Sequence, residues 1–201
     1  MKKARIAVLV SGGGTNLQAL IDAQASGVIA HGEIALVISS KPDAFALERA
    51  KKAGIPTEVV IKKSFASAEE YEQKMAEIID NGKIDLIVLA GFMSILGEGF
   101  TSRYPERIIN VHPALIPSFC GKGFYGLRVH EAALDYGVKV SGATVHFVNE
   151  IPDGGRIIMQ KAVDVFDGDT PEMLQKRIME QAEWVILPQS VEKISREIIG
   201  E

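Results

Sequence analysis

The chain has 201 residues, 47% of them hydrophobic, enough apolar material to core one domain and too little for two. Its 22 basic and 26 acidic side chains form no long basic run, so a nucleic-acid surface is not indicated and a small molecule is the ligand to expect. One cysteine, Cys120, excludes an internal disulfide, and His31, His112, His130 and His146 lack metal-ligand spacing, so no metal is expected.

The basic start, Met1 to Arg5, leads into an apolar run over only residues 6–10 before glycines intervene, which reads as a first strand. A cytoplasmic protein without a membrane partner is therefore expected. The next segment, Ser11-Gly12-Gly13-Gly14-Thr15-Asn16-Leu17, opens a helix over 15–25, and its backbone N–H groups can cradle a phosphate with the helix dipole behind them. A dinucleotide fingerprint would place glycine where Leu17 stands and an acidic residue at the end of the second strand, which instead reads Ser39-Ser40-Lys41. A Walker loop would need Gly-Lys-Ser/Thr. A single phosphate monoester is the preferred ligand, the alternative being glycines that serve only a tight strand-to-helix turn.

Continuous apolar runs predict buried strands over 34–38, 58–61, 84–89 and 108–111. Helical patterns fill the gaps over 44–53, 68–81 and 96–103, with Gly27, Gly54 and Gly82 near helix ends. After His112 a loop over 113–126, rich in Pro, Gly and aromatics, precedes a helix over 127–136. Two alternating strands, 139–148 and 156–165, are joined by the loop 149–155, and a long terminal helix starts at about Thr170. The expected fold is α/β: a Rossmann-like, open, mostly parallel twisted sheet with helices on both faces and an antiparallel C-terminal strand pair.

Asn110 and His112 lie two apart on a strand, so both address one side, and Pro113 ends the strand just after them. Asp153 precedes Gly154 and Gly155 in a turn where a carboxylate can be aimed at an imidazole. Amide, imidazole and carboxylate suit acyl transfer. His130 and His146 are assigned structural roles, and Lys122, Arg128, Lys161 and Arg177 are read as solvated charges. Cys120 has no evident base beside it and is not a candidate nucleophile.

These pieces resemble the phosphoribosylglycinamide formyltransferase (GAR transformylase) family of folate-dependent formyltransferases. The matching stretches, in order, are residues 11–18, 41–50, 89–93 (Leu-Ala-Gly-Phe-Met), 110–117 (Asn-Val-His-Pro-Ala-Leu-Ile-Pro), 142–148 (Gly-Ala-Thr-Val-His-Phe-Val) and 153–155 (Asp-Gly-Gly). The resemblance implies one formyltransferase domain over 1–201, with a phosphate-binding half over about 1–110 and a folate and catalytic half over about 111–201. It implies transfer of the formyl group of the co-substrate 10-formyltetrahydrofolate to the amine of glycinamide ribonucleotide in de novo purine (IMP) biosynthesis. Catalysis falls on Asn110, His112 and Asp153, by direct attack with oxyanion stabilisation. The ribonucleotide falls on Gly13, Gly14, Thr15, Asn16 and Glu183, the last five positions before Pro188. The folate falls on Met93, Ser94, Ile95, Leu96, Asn110, Asn149, Glu150, Ile151, Pro152 and Asp153. No metal and no nucleic-acid partner are expected, and the chain is expected to be a monomer or homodimer. Asp153 is expected to raise the pKa of His112 by opposite charge. The chain departs from the family pattern at Ser94 and Ala68, where arginines are usual and Lys62 or Lys63 could substitute, and at Cys120, where proline is usual.

Overall fold

Strand β1 (Ala4–Val10) is buried on both sides, with Ile6, Val8 and Val10 in one core and Ala7 and Leu9 in another. Burial on both faces is why its sequence reads as an unbroken apolar run. The computed structural model describes residues 2–200, so Met1 and Glu201, the ends of the expected domain, lie outside the described residues. Seven strands form one sheet in the order β3-β2-β1-β4-β5-β6-β7, with β2 (Gly32–Ser39), β3 (Thr57–Val59), β4 (Leu86–Leu89), β5 (Ile108–His112), β6 (Val140–Phe147) and β7 (Ile157–Asp164). Pairing is parallel from β3 through β5 and antiparallel from β5 through β7, as the sequence predicts.

Helices cover both faces. One core takes Leu17 and Leu20 from α1 (Thr15–Ala25), Ala46 and Ala50 from α2 (Phe45–Lys52), Leu174 from α6 (Pro171–Ile178) and Leu187, Val191 and Ile194 from α7 (Trp184–Ile199). The other takes Tyr71, Met75 and Ile79, a stripe at i, i+4 and i+8, from α3 (Ala68–Asn81). Ser67 caps α3 by accepting the N–H of Glu70, and Thr170 caps α6 by accepting that of Met173, with Pro171 just inside. The remaining helices are α4 (Glu98–Thr101) and α5 (Leu127–Tyr136).

Three elements differ from expectation. The helix expected over 96–103 is the single turn α4, because Gly97 and Gly99 disfavour helix and Leu96 is drawn into the core instead. The strand expected over 58–61 is the edge strand β3, whose pairing with β2 ends at Val59 while Val60 turns into the core. The terminal helix is interrupted by a π-helical turn, Met179–Glu183, between α6 and α7. Pro188 lies shortly beyond it inside α7 and has no N–H to give the preceding turn. Such turns recur at functional sites because the inserted residue re-aims a side chain.

Candidate active site

In an open α/β sheet, ligands bind beyond the strand carboxyl ends where successive connections run to opposite sides. Here that point lies between β1 and β4, and a cleft of about 830 Å³ opens there, bounded by Thr15 and Asn16 after β1, by 91–95 after β4, and by Asn110 and His112 on β5. Ser11 ties these strand ends together, its hydroxyl 2.7 Å from that of Ser40 and accepting the N–H of Met93 at 2.9 Å.

The glycine turn forms one end of the cleft. Gly14 has φ 71°, and a Cβ there would lie 2.6 Å from Cβ of Ala46, so both the backbone conformation and the packing of α2 require glycine. Gly14 caps α1 without a side-chain hydrogen bond, which leaves the first-turn N–H groups of that helix for a ligand. Asn16 Nδ2 donates to Glu183 Oε2 at 2.7 Å, while Asn16 Oδ1 is buried without a partner. Glu183, delivered by the π turn, is 6% exposed, and its burial pushes the carboxyl above the ordinary carboxylate range, with the Asn16 hydrogen bond opposing.

Side chains from three chain segments form the other end. Asn110 and His146 face each other across the β5–β6 ladder, and Asn110 Nδ2 lies 3.2 Å from His146 Nε2. His146 Nδ1–H donates to its neighbour's carbonyl, Phe147 O, at 2.8 Å, so Nε2 is left to accept from Asn110. Asp153 enters from the β6–β7 loop. Its Oδ2 accepts the Gly121 N–H at 2.8 Å and lies 3.6 Å from His112 Nδ1, and its Oδ1 lies 3.5 Å from His146 Nε2. The turn needs Gly155 sterically, since a Cβ there would sit 1.7 Å from Phe147 O, and Asp153 adopts φ 55°, a left-handed conformation that aspartate tolerates.

Burial pushes the Asp153 carboxyl up, but the nearby imidazoles of His146 and His112 and the Gly121 N–H together hold it below the ordinary value. His112 corrects an expectation. Burial pushes it down, and the charge of Asp153 and the Phe119 hydrogen bond do not restore it, so its pKa lies below the ordinary histidine value rather than above. The physical reason is that His112 is 4% exposed while the carboxylate stands off at 3.6 Å. Its Nε2–H donates to Phe119 O at 2.8 Å, from the loop 113–126.

Of the residues assigned to the ribonucleotide, Thr15, Asn16 and Glu183 line the cleft, and Gly13 and Gly14 form the turn beneath. Of those assigned to the folate, Met93, Ser94, Ile95, Pro152, Asp153 and Asn110 line it. Leu96 is buried in the core, and Asn149, Glu150 and Ile151 lie outside the lining, with Asn149 Oδ1 accepting the N–H of Ile151. Ala68 starts α3, and Lys62 lies 5.8 Å over the Tyr71 ring. Sequence reasoning missed four features. His146 joins Asn110, His112 and Asp153, and its alternation with Thr144 gives only a shared strand face, not the pairing with Asn110 that brings it there. Lys122, read as solvated, is exposed but lines the cleft from the loop 113–126. His130 is 1% exposed under the cleft with neither ring nitrogen hydrogen-bonded, and burial followed by the His112 charge pushes it down to about 4. Arg177, also read as solvated, is largely buried in a two-pronged ion pair with Asp169 at 2.5 and 2.6 Å.

Among the described residues no group of three or more His, Cys, Asp or Glu is placed to hold a metal ion, and no helix is long and apolar enough to cross a membrane. A family model described as formyl transferase matches residues 4–191. The chain is 45% identical over 188 residues to the phosphoribosylglycinamide formyltransferase of Haemophilus influenzae, covering 94% of this chain and 84% of that protein. It is 44% identical over 186 residues to the trifunctional purine biosynthetic protein adenosine-3 of Drosophila melanogaster, 91% of this chain but only 13% of that much longer protein. Among solved structures, glycinamide ribonucleotide transformylase 1 from Symbiobacterium toebii superposes with a TM-score of 0.91 at 40% identity, over 97% of this chain and 89% of that one.

Proposed function

This chain belongs to the formyl transferase family, and from that premise we propose that it transfers the formyl group of 10-formyltetrahydrofolate to the amine of glycinamide ribonucleotide in purine biosynthesis. The observation that carries the reading is one cleft with two differently built ends, a glycine turn that suits a phosphate and a buried amide–imidazole–carboxylate group that suits acyl transfer. The ribonucleotide phosphate sits on Gly13, Gly14, Thr15 and Asn16, and Glu183, held by Asn16, contacts the ribonucleotide. The folate lies against Met93, Ser94 and Ile95, of which Met93 and Ile95 are exposed apolar side chains at the mouth. It supplies the formyl carbon. The whole chain acts as one domain, without a metal, in the cytoplasm, as a monomer or homodimer and independently of nucleic acid.

The amine attacks the formyl carbon, a C–N bond forms, and negative charge gathers on the formyl oxygen. Asn110 has one Nδ2–H committed to His146 and a second left for that oxygen. His112, neutral at pH 7 by its depressed pKa, donates Nε2–H once the reacting oxygen displaces Phe119 O. Asp153, kept ionised, receives the amine proton directly or through water. Collapse of the tetrahedral centre breaks the bond to the folate nitrogen, which takes up a proton.

The test is the absorbance change on deformylation of 10-formyltetrahydrofolate with and without glycinamide ribonucleotide. Loss of the formyl group only with the ribonucleotide present is the expected result. An equal rate without it would make water the acceptor and the chain a hydrolase, and no reaction in either case would leave a binding module.

A further inference from the structure

We propose that Arg49 is a positioning residue that aims the glycine turn at its anion, an inference that rests on reading this turn as the phosphate site. Two successive carbonyls of the turn point at α2: Gly12 O accepts the Ala46 N–H at 3.1 Å, and Gly13 O accepts Arg49 Nε–H at 2.8 Å. A trans peptide unit carries its C=O and the following N–H on opposite sides. The N–H groups of Gly13 and Gly14 therefore point away from α2, side by side, and Gly14 in the left-handed region gives the curvature of an anion-binding nest. The Gly14 carbonyl is taken in turn by the Gln18 N–H of α1. Of these restraints, only the one at Gly13 comes from a side chain.

Arg49 is itself held from two sides. Its Nη1 donates to Gln18 Oε1 at 3.1 Å, and its guanidinium lies 5.0 Å over the Phe45 ring. Its stem packs under the turn, with Cδ 3.4 Å from where a Cβ on Gly14 would be. Among the described residues no carboxylate pairs with Arg49, so its charge stands uncompensated behind the turn. Among the described residues, Lys122, on the loop 113–126, is the one lysine or arginine lining the cleft. A dianionic phosphate on the turn thus meets oriented backbone N–H groups in front and the Arg49 charge behind them.

The experiment compares the chain with Arg49→Met, which keeps the stem, and Arg49→Lys, which keeps the charge but not a donor at the Nε position. Inorganic phosphate is titrated into ¹⁵N-labelled protein while the Gly13 and Gly14 amide resonances are followed, and steady-state kinetics are measured with both substrates. In Arg49→Met, phosphate affinity falls about tenfold, the phosphate-induced shifts of the Gly13 and Gly14 amides shrink, and KM for glycinamide ribonucleotide rises about tenfold. The folate KM and kcat at saturation stay within about twofold, and Arg49→Lys recovers only part of the loss. Unchanged phosphate affinity in Arg49→Met, a loss fully restored by lysine, or no phosphate effect on these amides in the unaltered chain overturns the inference. Weaker phosphate binding in Arg49→Met, in a chain that does not formylate the ribonucleotide, keeps Arg49 in this role and removes the proposed acceptor instead.

Discussion

The two ends of the cleft are made from different materials. At the glycine turn the groups offered to the proposed phosphate are backbone N–H groups, shaped by a single stretch of chain and braced by α2. At the other end the groups are four side chains, Asn110, His112, His146 and Asp153, brought together from β5, β6 and the loop after it. The difference predicts how each end fails. Changes at the turn loosen binding of one substrate, whereas changes in the side-chain group slow the chemical step.

The largest effect expected at the side-chain end is that of Asp153→Asn. Asparagine tolerates the left-handed backbone found there, so the turn survives while the charge and the proposed proton acceptor are lost. Turnover falls by about 10³-fold, roughly 4 kcal/mol in barrier, with a melting temperature within a few degrees of the original. Turnover close to normal would take Asp153 out of the chemistry and erase the contrast.

A second effect separates the ends by pH. His130 and His112 have folded pKa values below those of an unfolded chain, so the unfolded state takes up their protons first as pH falls. Their stabilising contribution is complete above about pH 6.5 and is lost as pH falls below it, for His130 by about 3 kcal/mol as pH drops through about 4. Glu183, at the turn, has the opposite sense: its folded pKa is raised, so its contribution is complete below the ordinary carboxylate value and is lost as pH rises from there through the raised folded value. Thermal melts between pH 4 and 7.5 measure the balance. His130→Leu flattens the acid side of that curve, and a curve unchanged by the substitution would show that the buried imidazole does not set it.

His146 gives a smaller effect. His146→Phe keeps the ring volume but removes the acceptor that holds the Asn110 amide, and kcat falls about tenfold with both KM values within about threefold. An unaltered kcat would return His146 to a structural role. The smallest effect is that of Cys120→Ser, where the thiol only donates to Pro117 O at 3.3 Å; turnover stays within about twofold, and a larger loss without unfolding would contradict this account.

Much of this was legible in the chain. Strands β1, β2, β4 and β5 and helices α1, α3 and α5 lie where periodicity placed them, because buried parallel strands and amphipathic helices write their burial directly into local pattern. The π turn was not legible, since α6 and α7 carry one continuous helical pattern across it. Nor was His146, because its alternation says only that it shares a face with Thr144, and the pairing of Asn110 with His146 is a matter of register between strands about 30 residues apart.

By itself the sequence determined the alternation of strand and helix, the parallel-then-antiparallel order, the glycine turn after β1 and the Asn110, His112 and Asp153 motifs, because each depends on residues close together along the chain. Tertiary structure alone decided that burial outweighs the Asp153 charge at His112, that Phe119 O holds the His112 Nε2–H, and that Arg49 of α2 braces Gly13. Those outcomes depend on desolvation and on distances between segments remote in sequence, which no local pattern encodes.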